Sequence, residues 1–121
     1  MSLARYYRVV RSNPPKPEDF FSLERHGTKP RPGTPRSVLE RWDHVSVFGL
    51  IKGAYELARN FPRKGRWIAV LDIPDDAPIT LHPRIGDFNH RDIKASPEVF
   101  LRYVVDVVPA SEPSSGRPGK W

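Results

Sequence analysis

The chain has 121 residues, a length that suits one domain with its own core. It contains no cysteine, which excludes disulfide scaffolds, thiol catalysis and cysteine-ligated zinc. No apolar run approaches the roughly 18 residues of a membrane span, and no charged-then-apolar leader opens the chain. We therefore expect a cytoplasmic protein with neither a membrane segment nor a secretory signal.

The net charge is +6, from 20 Lys and Arg against 14 Asp and Glu, and the excess lies in the first third of the chain. Residues 1–36 hold eight Lys and Arg against three Asp and Glu. A nucleic acid, a nucleotide or an acidic protein surface are compatible partners, and a solvated basic face is an equally compatible interpretation. For nucleic-acid binding, the candidate contacts are Arg11, Lys29 and Arg31.

The first predicted element is a strand over 5–10, where aromatic and β-branched residues are concentrated. A short helix opens at Pro17, with acidic residues in its first turn, and stops at Gly27. A proline-rich connector follows over 28–35. Pro35 is the first helical position of a second short helix.

The middle of the chain shows the clearest periodicity. Residues 44–48 alternate and predict a second strand. The segment 50–61 places its apolar residues on one face of a helix, which Pro62 closes. Residues 67–73 are almost continuously apolar, so we expect a central strand that is covered on both faces.

The last third is predicted to be less regular. A short strand covers 79–81, and 82–95 shows no period, which predicts a long loop. A helical turn over 97–101 precedes a final buried strand over 103–108. Residues 110–121 are rich in Pro, Ser and Gly and predict a disordered tail. This tail and the proline-rich connector are candidate docking segments for a larger assembly.

Together these elements predict an α+β fold in a single domain over residues 1–109. We expect a bent, mostly antiparallel sheet of about five strands. One long amphipathic helix packs across it, and the other helices are short.

Two local motifs are similar to a kinase catalytic loop and to a metal-binding site, and we expect neither function. Residues 90–94 spell the start of a kinase catalytic loop, but Pro97 stands where that loop needs a metal-binding Asn, which excludes it. Four residues of the predicted 82–95 loop could bind a divalent ion through N and O ligands. These are His82, Asp87, His90 and Asp92. Solvation of a polar loop explains the same pattern, and we expect no metal.

A nucleophilic Ser-His-Asp set stays open, although Ser46 has no Gly-x-Ser-x-Gly elbow around it. Aromatic side chains could stack nucleic-acid bases. Most of them lie in predicted strands, which favours a place in the core instead. They are Tyr6, Tyr7, Trp42, Trp67 and Tyr103.

The order of segments over residues 5–109 resembles that of small bacterial ADP-ribosyltransferase-like domains. The matching segments are, in order, YYRVV, VSVF, LIKGAYELARNF, GRWIAVLDIPDDAPI and a late Glu. In that family an Arg or His on the first strand binds NAD, and a Ser or Tyr on the next strand braces the nicotinamide pocket. A late Glu then orients the ribose hydroxyl for transfer.

The resemblance implies that Arg8 and its neighbour Tyr7 bind NAD and that Ser46 lines the pocket as a catalytic residue beside Glu98. It implies NAD as cofactor and an NAD-dependent ADP-ribosyltransferase or NAD glycohydrolase activity, with a protein or nucleic acid as target. Glu98 falls in a predicted helical turn, not in the strand that active enzymes use, so the sequence leaves catalysis open. The alternative is a non-catalytic basic module that binds nucleic acid or an acidic protein partner through residues 5–36.

Overall fold

The computed structural model describes residues 2–83 and 87–111. Within these ranges six strands form one open antiparallel sheet in the order β4-β5-β2-β1-β3-β6. The strands are β1 (Leu3–Val10), β2 (Val45–Phe48), β3 (Trp67–Pro74), β4 (Thr80–Pro83), β5 (His90–Lys94) and β6 (Val104–Pro109). The helices are α1 (Arg36–Leu39), α2 (Ile51–Asn60) and α3 (Pro97–Arg102). The fold class is therefore α+β, as predicted.

The sheet has six strands, whereas the sequence predicted about five. The additional strand is β5, which lies within the 82–95 segment that was predicted to be a loop. Its sequence carries one apolar residue, Ile93, which is fully buried, while the other four positions are polar. A strand whose solvent-facing and cleft-facing positions are all polar shows no apolar alternation, so the hydrophobic pattern misses it.

Two of the predicted helices are shorter in the structure. The predicted long helix over 50–61 corresponds to α2, which spans ten residues. The helix expected from Pro17 to Gly27 is a single 3₁₀ turn, Pro17–Phe20. Most of the predicted tail, residues 112–121, lies outside the described residues, and its disorder stays a prediction.

Each face of the sheet buries its own apolar cluster. On one face the 3₁₀ turn and α3 pack together, with the rings of Phe20 and Phe100 stacked 5.3 Å apart between centroids. On the other face α2 packs through Ala54 and Ala58 against Val9 of β1. Covering both faces holds the interior strands β1 and β3 in place.

The sheet opens between β1 and β2. In the described structure these neighbouring strands pair at one position, Tyr7 with Phe48. On its other edge β1 pairs with β3 along its whole length, and β2 pairs with β5 along its whole length. In this register Arg8 would next face Val47, and Val9 would face Ser46, but neither pair forms in the described structure. Arg8, Val9 and Ser46 line a cleft of about 1040 Å³ at this opening. The cleft therefore lies where the sheet opens between β1 and β2.

None of the helices in the described ranges has the length and apolar character needed to cross a membrane.

Candidate functional site

The cleft has a cationic lining. It contains five Lys and Arg side chains, three carboxylates and three histidines. The cations are Arg8, Arg11, Lys16, Arg41 and Lys64. An excess of cations in a concave, low-dielectric site focuses the field and attracts an anionic ligand.

Arg8 bridges the opening between the two strands. Its Nε donates to the backbone oxygen of Asp19 at 2.8 Å, and its Nη1 donates to the backbone oxygen of Ser46 at 2.8 Å. The Ser46 carbonyl thereby gains a partner where β1 no longer pairs with β2. Burial lowers the pKa of Arg8 to about 10, because desolvation disfavours the charged form. The guanidinium is still cationic at neutral pH.

The Arg8 cation has neutral partners. Among the described residues no carboxylate lies within 4.0 Å of its guanidinium. The carboxylate of Asp19 raises the Arg8 pKa from a greater distance. That carboxylate accepts the backbone N–H of Arg11 at 2.8 Å and that of Lys16 at 2.9 Å. Arg8 is therefore a desolvated cation without a direct counter-ion in this part of the chain.

Ser46 and His90 form a hydrogen-bonded pair in the cleft. Ser46 Oγ lies 2.9 Å from His90 Nε2. The antiparallel register pairs Ser46 with Asp92 and Phe48 with His90, so these four side chains share one face of the sheet. The His90 ring also stacks on the Phe48 ring, with centroids 4.7 Å apart and planes at 28°. Strand register therefore positions both partners.

Asp92 is the buried carboxylate of the site. Its side chain is 8% exposed, and its Oδ2 lies 3.4 Å from Nη1 of Arg41. It faces Ser46 on β2 and His82 on β4 in the strand register. The Asp92 and Arg41 side chains both line the cleft beside Ser46.

His44 presents an unused nitrogen in the same region. Its Nδ1 lies 2.8 Å from Oδ1 of Asp43, while its buried Nε2 has no hydrogen-bond partner among the described residues. Lys94, 3.0 Å away, and then His44 hold the pKa of Asp43 below its ordinary value. The ionised Asp43 orients the His44 ring.

The structure brings together two of the residues that the resemblance implies, Arg8 and Ser46, in the cleft. Tyr7 packs with Phe48 in the apolar cluster beneath α2 and does not line the cleft. Glu98 is exposed in the first turn of α3 and does not line it either. The Arg8–Ser46 pairing is thus independent of Glu98.

The predicted nucleic-acid contacts are separated. Arg11 lines the cleft, where its Nε donates to the backbone oxygen of Arg63 at 3.1 Å. Lys29 and Arg31 are exposed in the connector and do not line the cleft.

The residues weighed for metal binding do not form one cluster in the described ranges. No group of three or more His, Asp and Glu side chains is arranged there to hold a metal ion. His82 and Asp92 face each other across β4 and β5. The side chain of Asp87 lies outside the described part of the structure.

Sequence reasoning gave no role to Arg41 and His44 and placed His90 and Asp92 in a loop. The signal that could have found His90 and Asp92 is the polar alternation of β5, where His90, Asp92 and Lys94 share one face. Comparisons with protein-family models, curated proteins and solved structures found no match to this chain. The functional assignment therefore rests on the cleft.

Proposed function

We propose that this protein binds NAD or a related nucleotide in the cleft, with Arg8 as the phosphate contact. The observation that supports this most is the partly buried Arg8 guanidinium, which has two neutral carbonyl acceptors and no carboxylate within 4.0 Å among the described residues. A desolvated charge without a counter-ion is costly. A phosphate group would neutralise it, and the planar guanidinium matches phosphate geometry.

The remaining lining suits the rest of a nucleotide. Phe21, Trp42 and Phe48 provide aromatic surface on which a base can stack. The indole N–H of Trp42 donates to the backbone oxygen of Thr28 at 2.7 Å, which fixes the ring. The volume of about 1040 Å³ reaches the upper end of the usual range for ligand pockets, roughly 300–1,000 Å³.

The reaction that the resemblance implies is cleavage of NAD with transfer of ADP-ribose to a macromolecule or to water. That chemistry needs a carboxylate near the ribose, to stabilise the cationic centre that forms as nicotinamide leaves. Asp92 supplies a carboxylate in the cleft, whereas Glu98 does not line it. In this proposal Asp92 therefore takes the role that the resemblance implied for Glu98.

The test is a titration of NAD with the protein, followed by the line widths of the NAD signals in one-dimensional NMR. We expect Arg8→Met to weaken NAD binding by about 10- to 100-fold, because a hydrogen bond to a charged group contributes roughly 1.5–3 kcal/mol. The matched control is Arg5→Met, which removes an arginine from the same strand but outside the cleft. It should bind NAD like the unmodified protein.

Two further ligands separate phosphate recognition from base recognition. ADP should bind with a similar dependence on Arg8, and adenosine, which has no phosphate, should bind much more weakly. The proposal fails if NAD does not bind, or if Arg8→Met and Arg5→Met bind it equally. A free nicotinamide signal that grows over several hours would report cleavage, and Asp92→Asn should abolish that signal if Asp92 has the proposed role.

A further inference from the structure

The proposed binding of phosphate by Arg8 does not use the side chains of Ser46 and His90, which have the geometry of a nucleophile and its general base. A serine becomes nucleophilic when a histidine nitrogen lies within about 2.6–3.2 Å of its hydroxyl and can take its proton. Ser46 Oγ and His90 Nε2 are 2.9 Å apart. Both side chains line the cleft, where a ligand could reach them.

The surrounding structure holds both members of the pair. Ser46 is fixed by the ladder of β2 with β5, opposite Asp92. The His90 ring is held against Phe48, with centroids 4.7 Å apart. Neither side chain needs to move for the proton to pass from one to the other.

Cations line the cleft that contains the pair. The Arg8 guanidinium donates to the backbone oxygen of Ser46 itself at 2.8 Å, and Arg41 lines the same cleft. Positive charge in this cleft favours substrates with anionic oxygens and stabilises the charge that develops on them. Among ester substrates, this selects phosphate esters over neutral carboxylic esters.

We propose that Ser46 is a nucleophile, with His90 as its general base, and that it attacks the phosphorus of a phosphate ester bound at Arg8. The choice of phosphate rests on the proposed nucleotide-binding function, whereas the activation of Ser46 does not. As the Ser46 Oγ–P bond forms, the Oγ proton passes to His90 Nε2. The bond from phosphorus to the leaving oxygen breaks, and His90 returns the proton to that oxygen.

Water completes the cycle. Its oxygen attacks the phosphorus of the phosphoseryl intermediate while His90 takes its proton. The Ser46 Oγ–P bond then breaks, and Oγ regains a proton from His90. The products are a phosphate and the free alcohol, with no other co-reactant.

The first test uses diisopropyl fluorophosphate, a neutral probe that needs no phosphate site. Reaction forms an Oγ–P bond and releases fluoride, and intact mass and peptide mapping locate the adduct. We expect one adduct at Ser46, none in Ser46→Ala, and labelling that is about 100-fold slower in His90→Gln. The matched control is Ser37→Ala, which removes another cleft serine and should label at the normal rate.

A second test guards against loss of folding in these variants. Because the chain has no cysteine, Ser46→Cys and Ser37→Cys each introduce a single thiol. A histidine partner increases the thiolate fraction of a cysteine, so iodoacetamide should alkylate Ser46→Cys at least about tenfold faster than Ser37→Cys. Adding His90→Gln to Ser46→Cys should bring its rate down to that of Ser37→Cys. Circular dichroism checks that every variant is folded.

A third measurement tests the substrate class. We expect the protein to release p-nitrophenolate from bis(p-nitrophenyl) phosphate, and Arg8→Met to slow that release more than release from p-nitrophenyl acetate. If only the acetate is hydrolysed, the phosphate assignment is wrong.

The two proposals fail separately. Absence of the Ser46 adduct, an adduct at Ser37, or equal labelling in His90→Gln would overturn the activated serine, whatever the outcome of the NAD titration. Labelling of Ser46 in a protein that does not bind NAD would instead support the activated serine and overturn the proposed nucleotide binding.

Discussion

At the scale of single residues, two arginines on one strand have opposite environments. Arg5 is half exposed and makes a bidentate pair with Asp72, with Nε–Oδ1 at 2.7 Å and Nη2–Oδ2 at 2.8 Å. Arg8 is partly buried and donates to two carbonyls. Positions three apart on a strand face opposite sides of the sheet. Both arginines contribute equally to the net charge. Arg5 is part of a surface ion pair, whereas the burial of Arg8 makes it a candidate ligand contact.

The pair of Arg5 and Asp72 predicts a pH-dependent contribution to stability. The hydrogen bond and charge of Arg5 hold the pKa of Asp72 below its ordinary value. A carboxyl whose folded pKa lies below its unfolded value stabilises the fold above the unfolded pKa, about 3.9. That contribution is lost as the pH falls through the folded value. Asp72→Asn should therefore lower the free energy of unfolding slightly at pH 7, with a difference from the unmodified protein that shrinks as the pH falls to about 2.

Urea unfolding at the two pH values measures this effect. The matched control is Asp76→Asn, which changes an exposed carboxylate that forms no ion pair within the described ranges. Its stability should follow the unmodified protein at both pH values. An Asp72→Asn deficit that is as large at about pH 2 as at pH 7 would show that the effect does not come from the ionised carboxylate.

At the scale of elements, the start of β3 depends on one glycine. Gly65 has φ +154° and lies two residues before Trp67, the first residue of β3. A Cβ at this position would collide with the backbone oxygen of Val10, at the end of β1. The close approach sets β1 against β3, and so fixes the β1 edge of the cleft.

Gly65→Ala should therefore destabilise the fold more than a glycine substitution without a steric contact. The control is Gly33→Ala, where φ is +85° and a new Cβ meets no atom within 4 Å. Backbone strain alone should cost Gly33→Ala about 1–2 kcal/mol. Gly65→Ala adds displacement of the β1 backbone, for a total above about 2–3 kcal/mol. Thermal and urea unfolding of both variants measure the difference, and equal losses would mean that β1 and β3 separate without cost.

At the scale of the whole molecule, two parts of the positive charge are separated in space. One part lies in the cleft, and another lies on the exposed connector at Lys29 and Arg31. A cationic surface attracts nucleic acid through its phosphates with little dependence on base sequence. Substitutions in the connector can therefore test nucleic-acid binding, the alternative function, without changing the cleft.

Replacing Lys29 and Arg31 together by Ala should weaken binding to oligonucleotides of any sequence. The plot of log affinity against log salt should become shallower by about two, one for each lost phosphate contact. NAD binding should not change, because neither residue lines the cleft. Fluorescence anisotropy at several salt concentrations measures the first effect, and the NMR titration measures the second. Unchanged oligonucleotide affinity would exclude these two residues as contacts for nucleic acid.

The sequence by itself determined the elements that have a local apolar pattern. The strand predicted over 44–48 is β2, Val45–Phe48, and the strand predicted over 67–73 is β3, Trp67–Pro74. The helix predicted over 50–61 contains α2, Ile51–Asn60. The spacing of apolar residues indicates which face of a helix or strand is buried, and this spacing can be read from a short stretch of consecutive residues.

Only the tertiary structure decided the site. Ser46 and His90 are 44 positions apart, and the register of β2 with β5 brings them together. The opening between β1 and β2 places Arg8 beside Ser46, while α3 carries Glu98 away from the cleft. Register, strand separation and desolvation arise from pairing between distant segments, and no local pattern of residues specifies them. The resemblance in the order of segments suggested Arg8 and Ser46 as candidates. The positions of His90 and Asp92 near Ser46 follow only from the pairing of β2 with β5.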